Sequence, residues 1–378
     1  MRIGLVIDHF DPAKGGAERA LALFARHAET AGHEVVVLAM SKSDDAPGRL
    51  IRVDVPPAPR GPWDVSFASG ALKTAKRERC DVVIGVRHAI GVDVYWPHGG
   101  VHAETLAAVE RSKGRIVGAV SRALHRASPK QRLLLGLERL FFETNADARI
   151  WCVSDLVRRE IVARRPDVAP RIEMHANGVD LDAFHPRERA ERRARVRREL
   201  NIAADEPTLL FLGGAWRLKG FAVLLDALAS MKDARWTCVA AGARDDEARR
   251  AVARARLSKR VRVLPRRDAR DLYAAADLFV QPTWRDPCSL ATLEALACGV
   301  PVVTTDANGA TDALDGFPGA GAVVAAGDAD AFAAAVRARL VVADAPNSDA
   351  RRAAERRPQR AWLDALLASV TSRRSRPR

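Results

Sequence analysis

Cysteine is sparse and unpatterned in this 378-residue sequence. Cys80, Cys152, Cys238, Cys288 and Cys298 are scattered, odd in number, and nowhere form Cys-x-x-Cys. That argues against a disulfide framework and leaves reduced core thiols as the simplest reading. No histidine lies at ligand spacing from a cysteine pair, so a zinc site is not expected. Apolar runs are short, and none reaches the ~20 residues that span a bilayer. The opening MRIGLVIDHF starts a strand at once and lacks a signal-peptide pattern, so the expected location is the cytoplasm. Acidic residues are outnumbered 47 to 61 by Lys and Arg, for a formal charge of +14. Such a surplus favours polyanions: nucleic acid, anionic lipid or phosphorylated substrates. Most of it is arginine in an alanine-rich background, so charge alone does not choose among them. A hydrophobic content of 48% with 29% charged residues fits a soluble globular chain, and the length allows two domains with sizeable cores.

Strand and helix patterns alternate along the chain, which predicts an α/β fold with parallel sheets. Strands are expected at Arg2–Asp8, His33–Ala39, from Leu50 (LIRVDV), from Asp81 (DVVIGV) and from Arg149 (RIWCVS). Gly15-Gly16 opens the first helix and Gly32 ends it. The polar, turn-rich segment Asn177–Pro186 reads as a domain linker. After it come a charged helix over about Arg187–Leu200, a strand at Thr208–Gly214, a helix over Lys219–Met231, and strands at Thr237–Gly242, Arg260–Pro265 and Asp277–Pro282. The pattern is two Rossmann-like domains in tandem. Neither first turn carries Gly-x-Gly-x-x-Gly, which argues against a nicotinamide enzyme. The closing SRRSRPR is expected to be disordered.

Chemistry concentrates in three stretches. RDPCSLATLEALACGVPVV (Arg285–Val303) sets Asp286 and Glu294 eight positions apart around the start of an apolar helix that ends at Gly299. Amides near Ser289 and Leu290 at such a helix start favour an anion. GGAWRLKGFAVLLDAL (Gly213–Leu228) runs strand, glycine turn, cations, helix. There Arg217 and Lys219 could hold a diphosphate and stabilise charge on a departing group; the alternative is an ordinary turn with solvated basic residues. GVDVYWPHGGVHAETL (Gly91–Leu106) is a polar, glycine-rich loop with His98 and His102. His98 could bond a sugar hydroxyl or relay a proton, or be a structural histidine.

Together these stretches resemble the family-four retaining glycosyltransferases, and specifically the lipopolysaccharide core glucosyltransferase I subgroup. The resemblance rests on the Gly…Arg…Lys-Gly run, the Asn-Gly-Val-Asp…Phe linker and an acid-x7-Glu segment whose first acid is Asp rather than the family's usual Glu. It implies the GT-B fold: α/β, two Rossmann-like domains with a cleft between them and a C-terminal helix crossing back. The expected division is 1–176, with a helix at about 358–372, against 177–357 as the nucleotide-sugar domain. It also implies that Lys219 and Arg217 act on the diphosphate, Glu294 on the donor ribose and Asp286 on the sugar. Gly15 and Gly16, matching Gly-Gly-x-Glu-Arg, would turn amides to the donor, and His98 would lie on the acceptor side. In several relatives the basic residue falls at the position of Leu218. No cofactor or metal is expected, only a nucleoside-diphosphate sugar, UDP-linked, as co-substrate; Arg217 and Lys219 would do a divalent ion's work.

Residues 111–137 hold seven Lys/Arg and no acid, with Ile116, Val117, Val120 and Leu124 at helical spacing. That combination suits a helix lying on an anionic membrane; the alternative is a core-packed helix with a solvated basic face. The stretch has no aromatic residue, which disfavours nucleic acid. The expected activity is hexose transfer from a nucleoside-diphosphate sugar to a hydroxyl of a cell-envelope glycan or lipopolysaccharide core, by a cytoplasmic protein peripheral on the inner face of the membrane. The rivals are a nucleotide-sugar epimerase or hydrolase of the same fold, and a non-catalytic basic protein of the membrane surface.

Overall fold

The computed structural model describes residues 1–53, 63–86, 91–242, 245–343 and 345–372. The end of the LIRVDV stretch and nearly all of SRRSRPR lie outside them. The chain divides into two compact units: Met1–Glu110 with Arg115–Asn177 and Arg360–Arg378, and Arg111–Gly114 with Gly178–Gln359.

Unit one is built on β1 (Arg2–Val6), α1 (Gly16–Thr30), β2 (Glu34–Ala39), β3 (Arg49–Arg52), α2 (Trp63–Arg77), β4 (Val82–Gly85), β5 (Val94–Tyr95), α3 (His102–Arg111), α4 (Arg115–Ala127), α5 (Pro129–Thr144), β6 (Arg149–Cys152), α6 (Asp155–Arg164) and β7 (Ile172–Met174). The strands form a parallel sheet in the order β3-β2-β1-β4-β5-β6-β7. Leu5 and Val6, adjacent on β1 and so on opposite faces, are both fully buried, as a central strand covered on both faces requires. Gly32, at φ +81, turns the chain out of α1.

Unit two contains α7 (Arg189–Glu199), β8 (Thr208–Leu212), α8 (Phe221–Ser230), β9 (Thr237–Ala241), α9 (Asp245–Arg254), β10 (Val261–Leu264), α10 (Ala269–Ala275), β11 (Leu278–Gln281), α11 (Leu290–Ala297), β12 (Val302–Thr305), β13 (Gly321–Val324), α12 (Ala329–Arg337) and α13 (Ser348–Glu355). Its parallel sheet runs β10-β9-β8-β11-β12-β13. The order reverses between β8 and β11, which pair through Leu209↔Leu278 and Leu210↔Phe279. At such a switch point the loops leaving the two strands part and open a crevice at their carboxyl ends.

Two helix boundaries differ from the sequence expectation. The helix placed over Lys219–Met231 begins only at Phe221, because Gly220 is left-handed at φ +78. The charged helix begins at Arg189, after a single 3-10 turn at Pro186–Glu188.

The last helix, α14 (Gln359–Thr371), returns to unit one. Trp362, Leu363, Leu366 and Val370 are its buried stripe. Ser369 Oγ donates to Glu173 Oε2 at 2.5 Å, and Asp364 pairs with His27 at 2.8 Å. Among the described residues no helix is long and apolar enough to cross a membrane.

Candidate functional site

The switch point of unit two carries the predicted cation and its acid. Two loops leave it, residues 213–220 after β8 and residues 282–289 after β11. They are stitched together by backbone and side chain: Leu218 O accepts from Trp284 N at 2.8 Å and from Thr283 Oγ1 at 2.7 Å. The buried Gln281 donates to Leu212 O at 3.1 Å, tying the strand ends where the ladder stops. Gly220 packs flat against Pro282; a Cβ there would fall on the Pro282 carbonyl oxygen. Only glycine meets both that contact and the positive φ.

This stitching brings together side chains 67 positions apart in sequence. Lys219 Nζ donates to Asp286 Oδ2 in an ion pair whose side chains are 20% and 9% exposed. Gly213, at φ +154, leaves room for the Lys219 stem, since a Cβ there would meet Lys219 Cγ at 3.1 Å. Asp286 is fixed through its backbone as well: its N–H donates to Ala307 O at 2.9 Å, and its carbonyl accepts from Gly309 N at 2.8 Å. Arg217 lies on the same turn, exposed, and forms no ion pair among the described residues.

Asp286 does not cap the following helix. That position belongs to Ser289, whose Oγ accepts from Thr292 N at 3.3 Å. The buried Asn308 supports this helix start. Its Oδ1 accepts from Ser289 N (3.4 Å) and Ala310 N (3.0 Å), and its Nδ2 donates to Thr292 Oγ1 and Thr304 Oγ1, both at 3.0 Å. All four of its hydrogen-bonding positions are therefore used. Leu290, the first residue of α11, is half-buried. One turn on, Glu294 is 7% exposed on α11, and its Oε2 accepts from the hydroxyl of Tyr273 at 3.1 Å.

In unit one, Gly15 and Gly16 are exposed at the start of α1. Gly15 is the N-cap in extended conformation and offers no side chain to the helix amides. Instead Glu18 Oε2 leans back over it, 2.8 Å from where a Cβ would stand, a carboxylate placed on the positive end of the helix. His98 is buried at 9% exposure, its ring 4.3 Å from that of Trp96. His102 starts α3 and shares a hydrogen bond with Gln131 Oε1 at 2.9 Å, while its N–H donates to Glu138 Oε1 at 2.7 Å; this ties it into the α3–α5 packing.

The 111–137 segment folds as α4 and the first half of α5. Its packing reverses the core-packed alternative: Ile116, Val117, Val120 and Leu124 are 56–82% exposed, and Gly118 with Ser121 forms the buried face. Gly118 lies against the Glu110 carbonyl, where a Cβ has no room. The Glu110 carboxylate meets Arg122 and His125, each at 3.0 Å.

Sequence reasoning missed Asn308 and Tyr273. Asn308 sits in an Asn-Gly turn, a signal that could have been read; a lone tyrosine in a helix offers none.

Residues 14–183 match the family described as Glycosyltransferase Family 4, and residues 206–341 match Glycosyl transferases group 1. The chain is 26% identical over 298 residues to the lipopolysaccharide glucosyltransferase WaaG of Escherichia coli (strain K12), covering 77% of each chain. It spans about half the length, 50%, of the D-inositol 3-phosphate glycosyltransferase of Mycobacterium sp. (strain KMS), at 32% identity over 236 residues. In fold it is similar to the crystal structure of WaaG, a glycosyltransferase involved in lipopolysaccharide biosynthesis, with a TM-score of 0.82 at 21% identity over 98% of this chain and 99% of that one. It also resembles Anabaena Alr3699/HepE in complex with UDP-glucose, with a TM-score of 0.72 at 18% identity over 98% and 100%. The two family matches divide most of the chain between them and the architecture is that of the GT-B enzymes, so the chain is a GT-B glycosyltransferase similar to the lipopolysaccharide core glucosyltransferase.

Proposed function

We propose that this chain is a retaining, metal-independent hexosyltransferase. Its donor is a UDP-linked sugar and its acceptor a hydroxyl of a cell-envelope glycan, the lipopolysaccharide core being the first candidate. The observation that carries the reading is the Lys219–Asp286 pair at the switch point, beside the capped start of the helix that bears Glu294. The glucosyltransferase and UDP-glucose in the names of similar proteins support the choice of donor.

The residue roles combine charge with what the family resemblance implies. Breaking the bond between the anomeric carbon and the diphosphate leaves negative charge on a phosphate oxygen. An ammonium held in place by Asp286 meets that charge without reorganising, which is where electrostatic catalysis gains most. Arg217, exposed on the same turn, is assigned to the diphosphate as well. Asp286 keeps Lys219 in position and faces the sugar, Ser289 and Leu290 offer the helix start, and Glu294 accepts from the ribose hydroxyls. The acceptor proton passes to the departing phosphate oxygen on the face from which it leaves, so the new bond forms with the anomeric configuration retained. In unit one, the amides at Gly15 and Gly16 are assigned to donor contacts and His98 to the acceptor side.

The face of α4 fits a peripheral seat on anionic lipid at the inner side of the cytoplasmic membrane. Four exposed aliphatic residues share the helix with the exposed Arg115, Arg122 and Arg126, the composition of an interfacial helix. Sedimentation with vesicles of phosphatidylglycerol tests it: wild type should pellet, and Ile116→Asp with Val120→Asp should stay in solution.

The activity is tested by incubating UDP-glucose with the purified protein in EDTA, with and without lipid-linked core oligosaccharide, and following products by NMR. An α-linked product formed only with acceptor is expected. Free glucose or an isomerised nucleotide sugar without any acceptor dependence would point to the hydrolase or epimerase instead. No binding of any nucleotide sugar at millimolar concentration would leave the non-catalytic reading.

A further inference from the structure

We propose that Tyr273 is a positioning residue for the donor ribose, acting through Glu294. The inference rests on the assignment of Glu294 to the ribose made above. Tyr273 is fully buried on α10. A buried phenol needs a hydrogen-bond partner, and its hydroxyl lies 3.1 Å from Glu294 Oε2 and 3.0 Å from the Ala291 carbonyl. Both acceptors belong to α11, so the single phenolic proton is shared, as a bifurcated hydrogen bond, between the helix backbone and the carboxylate one turn away. The ring is fully buried between other aromatic side chains. Phe184 packs edge-on at 6.1 Å, and Phe279 is tilted against it at 59° with a centroid distance of 6.1 Å.

A vicinal diol is best held by a carboxylate whose plane is fixed, since both hydroxyls must find oxygen at once. Glutamate has three rotatable bonds, and the last is a broad, soft torsion. Holding Oε2 to a rigid phenol removes that freedom before the ligand arrives, which is preorganisation in the ordinary sense. An ionised carboxylate has about four lone-pair sites, so accepting from Tyr273 leaves it able to accept from sugar hydroxyls.

The test measures affinity for UDP, ADP and GDP and for their 2′,3′-dideoxy forms by calorimetry, and takes the pair whose ribose form binds tightest. Hydrogen bonds to a charged group predict a wild-type preference for ribose of roughly 10- to 100-fold. Glu294→Ala should abolish the preference. Tyr273→Phe keeps the ring and its packing and should cut the preference by about tenfold, with the melting temperature little changed. A merely structural tyrosine would weaken the ribose and dideoxy forms alike and leave their ratio untouched. If Glu294→Ala abolishes the preference while Tyr273→Phe keeps the wild-type ratio, the positioning role is overturned and the assignment of Glu294 stands. If Glu294→Ala keeps the preference, or no nucleotide binds, the assignment of Glu294 fails and the role of Tyr273 falls with it.

Discussion

Two separable tasks are proposed for Lys219, one in folding and one on the ligand, and a double-mutant cycle on Lys219 and Asp286 divides them. Lys219→Ala leaves Asp286, whose side chain is 9% exposed, without its cation. Breaking a fully buried pair costs about 3–5 kcal/mol, whereas exposed pairs contribute about 0–1 kcal/mol. This pair lies between those limits, so we expect about 1–2 kcal/mol. For a unit of about 180 residues that corresponds to a fall in Tm of about 2–8 °C. Asp286→Asn in the same background removes the stranded charge and should return most of the lost Tm. Turnover should behave differently. Losing one preorganised charge contact costs about 10²–10³ in kcat, and Asp286→Asn cannot restore it because no cation is regained. The assays are a thermal melt and initial rates with saturating donor. A Tm that stays low in the double variant would show that the pair is not what Lys219→Ala disrupts. A loss of turnover below about threefold would remove Lys219 from the chemistry.

Three further outcomes follow from packing and burial. Asp277 is 3% exposed and answers Arg193 at 2.7 Å, Arg197 at 3.3 Å and the amides of Thr208 and Ala343; Asp277→Ala should destabilise unit two by about 3–5 kcal/mol in urea, and a loss under about 1 kcal/mol would refute the network's importance. Gly220→Ala must place a Cβ on the Pro282 carbonyl at a positive φ, which adds to the ~1–2 kcal/mol of left-handed strain; unchanged stability and unchanged turnover would contradict the stitched loops. Burial pushes the thiols of Cys152, Cys238 and Cys298 up to about 12 and that of Cys80 to about 11, so at pH 8 almost none is thiolate, the reactive form. These four should react with a thiol reagent only after denaturation, and rapid labelling of all of them in the native protein would show the burial to be wrong.

The strands named from the sequence were legible because most are short apolar runs bounded by turn residues, and their alternation with helices gave parallel sheets; the order of strands and the short strands Val94–Tyr95, Ile172–Met174 and Gly321–Val324 were not legible. What escaped was set by contacts distant in sequence. The start of α8 was expected two residues early because Lys219 and Gly220 read as helix, and only the Pro282 carbonyl 62 positions on explains why Gly220 must be left-handed. On α4 the apolar period was visible but not the side it faces. The deciding residues are Gly118 and Ser121, small enough to let the helix approach Glu110 while the aliphatic side chains turn outward. Tyr273 is core, and its hydroxyl acquires meaning only beside Glu294.

The aspartate at 286, where the family usually has glutamate, becomes intelligible on the same grounds. Its backbone is held on both sides by the segment at Ala307–Gly309, and Asn308 in that segment also fixes the start of α11. The position of the Asp286 Cα is therefore set by the second loop and not by the acid's own length. With the Cα fixed, a side chain one methylene shorter retracts the carboxylate by roughly 1.5 Å, and in this structure the retracted carboxylate meets Lys219. The acid is thereby committed to the ion pair with Lys219, the residue proposed to meet the diphosphate. The difference between this chain and glutamate-bearing relatives should then appear in which sugar is accepted more than in how tightly the nucleotide is held.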